Sequence, residues 1–147
     1  MLAGMKLYSY FRSSAAFRVR IALGLKGLPF DYAAVHLAQG EQLRPDYRAT
    51  HADGLVPVLD DGGELLTQSL AIMEYLDETH PTPALLPASP LAKVKVRALA
   101  LAIACEIHPL NNLRVLKFLK DGMGLADSAK DQWYHHWTRQ GLDSFEE

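Results

Sequence analysis

A serine pair with an arginine in front of it, Arg12-Ser13-Ser14, is the part of this chain best suited to chemistry. A serine hydroxyl at the start of a helix can accept a hydrogen bond from an otherwise unpaired early N–H group. The N–H groups and the dipole of a helix N-terminus also favour anions. The forked guanidinium of Arg12 suits a carboxylate. The segment predicts an anion-binding corner. Its alternatives are two plain helix caps and a solvated surface arginine.

Two later dipeptides carry groups of the same kind. Val56-Pro57 lies in the apolar run 55–59, where a proline indicates a strand edge, a bulge or a cis peptide bond. Gln68-Ser69 comes directly before the stretch 70–79, where the N–H groups of a new helix can bind a carboxylate. The alternatives here are an edge-strand proline and a simple N-cap serine.

The elements that must position these groups alternate in type. A strand at 5–10 leads into a helix that opens at Ser13-Ser14 and closes at Gly27. Apolar residues recur along that helix at every fourth position, as Phe17, Ile21 and Leu25. We also predict strands at 30–37, 55–59 and 64–67, the hairpin turn Asp60-Asp61-Gly62-Gly63, and a short helix or irregular segment at 41–47.

The next helix, at 70–79, ends the first half of the chain. Its pattern places Ile72, Met73 and Leu76 inward and Glu74, Asp77 and Glu78 outward. The order of elements up to this point is β-α-β-(α)-β-β-α.

A proline-rich segment, 80–90, separates this half from a purely helical one. The helical half holds a long stretch at 91–119, disturbed at Pro109, and a last helix at 128–147. We therefore predict a first domain at 1–83, a linker at 84–90 and an all-α domain at 91–147.

Composition argues against several classes of function. The 147 residues are 49% hydrophobic and 22% charged, as in soluble globular proteins. A formal charge of −2 with no Lys/Arg-dense run argues against a nucleic-acid partner. The longest apolar run, 98–105, is too short for a membrane span, and 1–5 is too short for the apolar core of a signal peptide. We expect no membrane partner and a cytoplasmic location.

The remaining reactive side chains indicate no further site. Cys105 is the single cysteine, so an internal disulfide is excluded, and its apolar neighbours predict a buried core thiol. His135 and His136 are adjacent and face different ways on a helix, so we predict no metal site. Trp133 and Trp137, one turn apart, favour core or subunit packing.

Taken in order, the motifs make the chain resemble a glutathione transferase of the zeta class, which includes maleylacetoacetate and maleylpyruvate isomerases. The segments that carry the resemblance are 13–23, Val56-Pro57, 68–76 and 108–113. The resemblance covers essentially the whole chain. It implies a thioredoxin-like α/β N-terminal domain followed by an all-α C-terminal domain.

The chain departs from the family pattern in three places. Ala15 follows the serine pair where the family often has cysteine, so no protein thiol assists. His51-Ala52 stands where many members have Asn-Pro, which changes the loop before Val56. The resemblance also implies further helices beyond residue 147. We therefore expect the C-terminal domain to be incomplete here and to lack the family's substrate-binding arginine of that region.

The resemblance implies glutathione as cofactor and a role for each motif. Such isomerases add the glutathione thiolate to an activated cis alkene, which allows rotation about the resulting single bond. Ser13, preferred by family position, or else Ser14 donates to the sulfur. Arg12, by its fork geometry, is the candidate for a carboxylate of a dicarboxylate substrate. The other implied glutathione contacts are Gln42, Val56, Pro57, Gln68, Ser69, His108 and Asn112. Arg18 borders the site, and Arg20 is expected as a structural ion-pair partner.

Other readings of the same motifs remain open. The activated thiolate would equally serve a general glutathione transferase or one that dehalogenates small α-halo acids. A glutathione-transferase-like binding module without turnover is a third possibility, motivated by the short chain and the changed loop. The resemblance further implies a homodimer.

Overall fold

The computed structural model describes residues 4–145 of the chain. The chain divides into two compact units, the first ending at Leu86 and the second beginning at Pro87. Residues 1–3, used above against a signal peptide, and the last two residues of the predicted final helix lie outside this range. The strands of the first unit are β1 (Met5–Ser9), β2 (Phe30–Ala34), β3 (Val58–Asp61) and β4 (Glu64–Thr67). They form one mixed sheet in the order β2-β1-β3-β4, in which β1 and β2 are parallel and the other pairs antiparallel. This confirms the thioredoxin-like α/β domain.

The helices of the first unit are α1 (Ser14–Leu25), α2 (Pro45–Thr50) and α3 (Ser69–Thr79). Two single 3-10 turns, Leu37–Gln39 and Glu41–Leu43, connect β2 to α2. The element order matches the prediction, whereas β2 ends three residues earlier and β3 begins three residues later than predicted. Pro45 begins α2, because the first helical position needs no N–H donor.

Two apolar clusters form the core, one on each face of the sheet. Leu7 and Leu59 are cross-strand partners on the face covered by α1 and α3. Tyr8 and Val58, the next pair along, point to the opposite face because side chains alternate along a strand. Tyr47 of α2 packs there, so that this second cluster lies under the ends of β1 and β3.

The apolar row that indicated helical periodicity in α1 does not face the sheet. Phe17, Ile21 and Leu25 are 54%, 45% and 61% exposed. The buried residues of α1 are Ala15, Ala16, Val19, Ala22 and Leu23. Helix α1 thus carries two apolar faces, and the one with small side chains packs on the sheet. Periodicity alone does not choose between them.

A buried ion pair joins the end of α1 to α3, and it overturns the outward placement of Asp77. The Lys26 side chain is fully buried, and its Nζ lies 2.8 Å from Oδ1 of Asp77. Asp77 also accepts the N–H groups of Leu85 and Leu86 at 2.7 and 3.3 Å. Burial by itself raises the pKa of Asp77, but the hydrogen bonds from Lys26 and Leu85 outweigh it and hold the pKa below its usual range.

The second unit is helical, as predicted. Its helices are α4 (Pro90–Leu101), which continues as the π-helical segment Ala102–Ile107, α5 (Leu113–Lys117), which continues as Phe118–Gly122, and α6 (Asp127–Asp143). The predicted disturbance at Pro109 is confirmed, since turns separate α5 from the preceding segment. Pro90, placed at the end of the linker, is instead the first residue of α4, with Ser89 as its cap.

Little of the second unit is buried. Within its described residues Leu119 is the one buried apolar side chain. Cys105 is exposed, so the expectation of a buried core thiol is wrong. Its apolar run lies on a helix with no fully buried residue. Trp133 and Trp137 do pack together, edge to face at 5.7 Å, and Trp133 Nε1 donates to the Leu110 carbonyl at 2.8 Å. Among residues 4–145 no helix is both long and apolar enough to cross a membrane.

Candidate active site

Strand register brings the three predicted corners to one edge of the sheet. Tyr8 on β1 pairs with Val58 on β3, and Val58 pairs with Thr67 on β4. The segment after β1, the dipeptide before β3 and the dipeptide after β4 therefore leave the sheet at the same edge. Because β2 is parallel to β1, the loop that follows β2 starts there too. One end of the first unit thus holds four groups. They are Arg12-Ser13-Ser14, which we call the serine elbow, then Val56-Pro57, Gln68-Ser69 and the loop with Gln42.

Ser13 is the N-cap of α1. Its backbone is extended, and its Oγ accepts the N–H of Ala16 at 3.1 Å. Its own N–H donates to the Tyr10 carbonyl at 3.0 Å. No acceptor among residues 4–145 takes the Ser13 hydroxyl proton. Ser13 therefore caps the helix and retains a donor, so that the capping and the catalytic interpretations are compatible at this position.

The other groups of this corner are accessible. Ser14 is the first residue of α1 and is exposed. Arg12 is exposed and forms no ion pair within the described part of the chain. The Ala15 N–H has no acceptor in that part either. One N–H donor and one guanidinium thus remain open beside the Ser13 hydroxyl.

Val56-Pro57 forms the second corner, and its peptide bond is cis. The Val56 side chain is buried in the second cluster, whereas its main-chain N–H and C=O make no hydrogen bond with any residue from 4 to 145. The preceding carbonyl, of Leu55, accepts the Tyr47 hydroxyl at 2.6 Å. Burial, and secondarily the neighbouring Tyr8, raises the pKa of Tyr47 far above its usual value, so that the phenol stays a donor.

Gln68-Ser69 forms the third corner with an unusual backbone. Gln68 has φ 67° and is the one non-glycine residue with positive φ among those described. It occupies the N-cap position of α3 but makes no side-chain cap, and Ser69 is the first helical residue. The simple N-cap alternative for Ser69 is therefore wrong. The N–H groups of Ser69, Leu70 and Ala71 have no acceptor among residues 4–145.

Gln42 lies in the loop after β2 and is 8% exposed. Its Oε1 is buried and has no hydrogen-bond partner within the described residues. Buried amide oxygens are nearly always paired, so this atom is an acceptor suited to a donor from a ligand or from solvent. Gly54 approaches so closely that an added Cβ would lie 2.6 Å from the Gln42 carbonyl oxygen, and its φ is +62°. The loop geometry around Gln42 thus requires glycine at position 54.

His108 and Asn112 lie in the second unit, in and after the turn at Pro109. The Asn112 Nδ2 is 3.5 Å from His108 Nε2, and Asn112 Oδ1 accepts the N–H of Arg114 at 3.1 Å to cap α5. Their assignment as glutathione contacts stays a prediction. Among residues 4–145 no group of three or more His, Cys, Asp and Glu side chains could hold a metal ion.

Two residues near the site have roles that the sequence did not predict. Tyr47 holds the main chain next to Val56. Arg20 has no ion-pair partner among residues 4–145 and donates instead to the neutral oxygens of Ser9, Tyr10 and Phe11. Neither role has a local sequence signal, since each contact joins residues eight or more positions apart. Arg18, expected to border the site, is half-buried and donates to the Ser14 carbonyl at 3.4 Å.

The open groups along this edge suit an extended ligand with an ionisable thiol and carboxylates. Among residues 4–145 the groups without a partner are the Ser13 hydroxyl donor at α1, the main-chain groups of Val56, three N–H groups at α3 and the buried amide oxygen of Gln42. A tripeptide thiol such as glutathione carries complementary groups, so the residues present fit it.

Comparison with known proteins agrees with the fold. Residues 7–84 match the family model described as "Glutathione S-transferase, N-terminal domain". The chain belongs to the glutathione S-transferase family.

The similar proteins within this family include maleylacetoacetate and maleylpyruvate isomerases. A probable maleylacetoacetate isomerase of Vibrio cholerae is 50% identical over 143 residues, which are 96% of this chain and 66% of that protein. The holo structure of a maleylpyruvate isomerase, described as a bacterial zeta-class glutathione S-transferase, superposes with a TM-score of 0.93 at 46% identity, over 96% of this chain and 66% of that one. A maleylacetoacetate isomerase from Methylobacterium extorquens AM1 with bound malonate and glutathione gives 0.94 at 43% identity, with the same coverages.

These matches confirm the resemblance to the zeta class and the glutathione transferase fold. The chain spans about two thirds of the length of the relatives it matches.

Proposed function

We propose that the protein is a glutathione-dependent cis–trans isomerase of a maleyl ring-cleavage product, maleylacetoacetate or maleylpyruvate. The observation that carries this proposal is Ser13, a helix cap whose hydroxyl proton is uncommitted, at the sheet edge shared with Val56-Pro57 and Gln68-Ser69. The names of the relatives support the substrate class. The solved relative with bound malonate and glutathione supports a dicarboxylate as a second ligand.

Glutathione, when bound, supplies the thiolate that adds to the conjugated alkene and leaves again after rotation about the single bond. The task of the chain is to keep a thiol ionised. A free thiol has a pKa near ~8.5, so only a few per cent is ionised at neutral pH. A helix N-terminus favours an anion by about 0.3–2 kcal/mol, and a hydrogen bond to a charged acceptor adds about 1.5–3 kcal/mol. Ser13 and the N-terminus of α1 can together lower the pKa of a bound thiol to neutrality or below.

The other site residues bind and orient glutathione and the substrate. Val56 offers a main-chain donor and acceptor to the cysteinyl part, beside Pro57. Gln68, Ser69 and the open end of α3 bind the γ-glutamyl carboxylate, and Gln42 reaches the glycyl end. Arg12 holds a carboxylate of the substrate through its exposed guanidinium. Ser14 stands as the second hydroxyl of the elbow, and His108 and Asn112 complete the glutathione contacts.

We further propose the organisation that accompanies this activity. Residues 1–83 are the glutathione-binding domain and 84–89 the linker, and the helical domain begins with α4 at Pro90. The protein acts as a cytoplasmic homodimer in aromatic catabolism, without nucleic-acid or membrane partners. Sedimentation that shows only monomer would overturn the proposal of a homodimer.

The experiment that tests the activity is incubation of the chain with glutathione and either maleylacetone or maleylpyruvate. We expect glutathione-dependent loss of the cis isomer with no net loss of glutathione. Absence of that loss rejects the isomerase.

Product analysis separates the alternatives. A general or dehalogenating transferase consumes glutathione, whereas an isomerase returns it. If titration calorimetry shows glutathione binding but neither reaction proceeds, the protein is a binding module.

A further inference from the structure

Arg20 reaches from the second turn of α1 back to the end of β1. Its Nη1 donates to Ser9 Oγ at 2.7 Å and to the Tyr10 carbonyl at 3.2 Å, and its Nη2 is 3.4 Å from the Phe11 carbonyl. The guanidinium thus contacts three consecutive residues, the last of which directly precedes Arg12. The ring of Phe17 lies against it, 5.2 Å from Cζ to the ring centroid.

One of these acceptors is shared with the catalytic serine. The Tyr10 carbonyl oxygen accepts the Arg20 Nη1 at 3.2 Å and the N–H of Ser13 at 3.0 Å. The guanidinium and Ser13 therefore meet at a single oxygen. A planar guanidinium fixes its acceptors relative to one another, which a flexible ammonium does not. Arg20 thereby sets the path of the chain between β1 and α1, and with it the direction from which Ser13 enters the helix.

Plain ion-pair stabilisation does not explain this residue. All the hydrogen-bond acceptors of the Arg20 side chain within residues 4–145 are neutral oxygens, and Ser9 is completely buried. An apolar side chain could cover the Phe17 ring as well, but it would leave Ser9 Oγ without its donor and the Tyr10 and Phe11 carbonyls without this partner. The side chain is thus suited to holding the elbow in one conformation.

We infer that Arg20 is a positioning residue for Ser13, which it holds in place through the Tyr10 carbonyl without touching substrate or glutathione. The inference rests on the proposed function for its catalytic consequence, whereas its structural part concerns the elbow alone. Nothing in the comparisons assigns this role to the residue.

The test compares Arg20→Met with Arg139→Met, which removes the same charge from an exposed position on α6. Amide hydrogen exchange of the full chain without ligand reads out the elbow directly. We expect exchange at Ser13 and Ala16 to accelerate about tenfold in Arg20→Met, because this variant removes all three hydrogen bonds to the segment before Ser13. Exchange at Leu23 should stay unchanged, and Arg139→Met should behave as the unsubstituted chain.

Turnover supplies the second readout. We expect kcat to fall about tenfold in Arg20→Met, because the Ser13 hydroxyl is no longer held in one orientation. The KM for glutathione should change little, because the other contacts to the tripeptide remain. Arg20→Lys, which keeps the charge without the fork, should recover only part of this loss. Full recovery by lysine would show that charge, and not position, is what matters, and would overturn the inference.

The two proposals fail separately. If the unsubstituted chain does not isomerise the maleyl substrate, the proposed function is wrong. The role of Arg20 is then tested by amide hydrogen exchange at Ser13 alone. Unchanged exchange at Ser13, or equal acceleration at Leu23, overturns that role whatever the activity. If Arg20→Met does not fold, Ser9→Ala takes its place. Removing the shortest of the Arg20 hydrogen bonds should then accelerate Ser13 exchange about threefold, and no acceleration counts against the inference.

Discussion

The N-termini of α1 and α3 open on the same edge of the sheet but are built differently. At α1 a serine in an extended conformation caps the helix and satisfies the Ala16 N–H. At α3 a glutamine with φ 67° precedes the helix without a side-chain cap, and three N–H groups have no acceptor in the described part of the chain. The capped end presents the directed Ser13 hydroxyl beside the Ala15 N–H, and this pair of donors suits one sulfur atom. An open end presents several donors, which suits the two oxygens of a carboxylate.

The difference also has an energetic side. Capping by serine stabilises a helix by about 1 kcal/mol, whereas a positive φ at a non-glycine residue costs about 1–3 kcal/mol. Under the proposed function, the stable feature lies where the thiol is activated, and the strained feature lies where the bound ligand can compensate for its cost. Each of the predictions below tests one side of this contrast or the contacts that keep the two ends in place.

The largest effect is expected from Ser13→Ala. Loss of a donor to a developing or bound anion typically lowers kcat by about 10²-fold, and we expect that loss in isomerase assays at saturating glutathione. The matched control is Ser89→Ala, because Ser89 caps α4 in the same way, with its Oγ 3.2 Å from the Ala92 N–H. Both variants should lose about 1 kcal/mol of helix stability, but only the first should lose activity.

Ser14→Ala completes that test of the elbow. Ser13 is the expected donor, so Ser14→Ala should lose less activity than Ser13→Ala. Full activity in both single variants would contradict the role given to the pair.

A second, smaller effect concerns the ion pair that ties α1 to α3. Asp77→Asn leaves the charge of Lys26 buried with a weaker partner, and we expect the free energy of unfolding to fall by about 2 kcal/mol in urea titrations. Asp127→Asn is the control. Asp127 also has a pKa lowered by lysines, Lys120 and Lys130, but it is exposed, so its loss should change stability little.

The same pair predicts a pH dependence. The pKa of Asp77 is lower in the folded than in the unfolded chain, so its contribution is complete above the unfolded value of about 4. It is lost as the pH falls through the folded value. Unfolding titrations should therefore show a decline in stability below about pH 4 that is smaller in Asp77→Asn. An equal decline in both proteins would show that Asp77 does not link α1 and α3 in this way.

Gln68→Gly should change stability and binding in opposite directions. Glycine adopts positive φ without a Cβ clash, so we expect a gain of about 1 kcal/mol in the free energy of unfolding. Loss of the amide should raise the KM for glutathione about fivefold, the size of one hydrogen bond. Gln68→Ala serves as the comparison, because it should weaken binding equally without the gain in stability. A loss of stability in the glycine variant would mean that the backbone at position 68 is not strained.

Much of this arrangement follows from local sequence signals. Ser13, Gly27, Pro57 and the Asp-Gly turn each report a backbone conformation through their own chemistry, and together they fix the order of elements and the three corners. The signals fail where the answer depends on distant partners. Phe17 and Val19 lie on two apolar faces of one helix, and the packing of the sheet decides which is buried. Asp77 looks like a surface charge until Lys26, fifty-one positions earlier, lies beside it.

The contacts that support the corners are hidden for the same reason. The sequence supplied Val56 as a candidate, because a proline follows it. The sequence did not indicate a role for Tyr47, since an aromatic residue in a short helix or irregular segment indicates packing only. The structure shows that its hydroxyl holds the Leu55 carbonyl, one residue before the candidate.

The smallest effect is therefore expected from Tyr47→Phe, which keeps the ring in the core and removes that single hydrogen bond. We expect a loss of about 1 kcal/mol in the free energy of unfolding, together with a rise of about twofold in the KM for glutathione, because Val56 becomes less well fixed. Neither α1 nor α3 changes, so kcat should stay constant. Tyr134→Phe is the control, since Tyr134 is exposed on α6 and its hydroxyl has no partner within the described residues. A fall in kcat without a change in KM would place the effect of Tyr47 at the serine elbow, and the separation of the two helix ends would no longer hold.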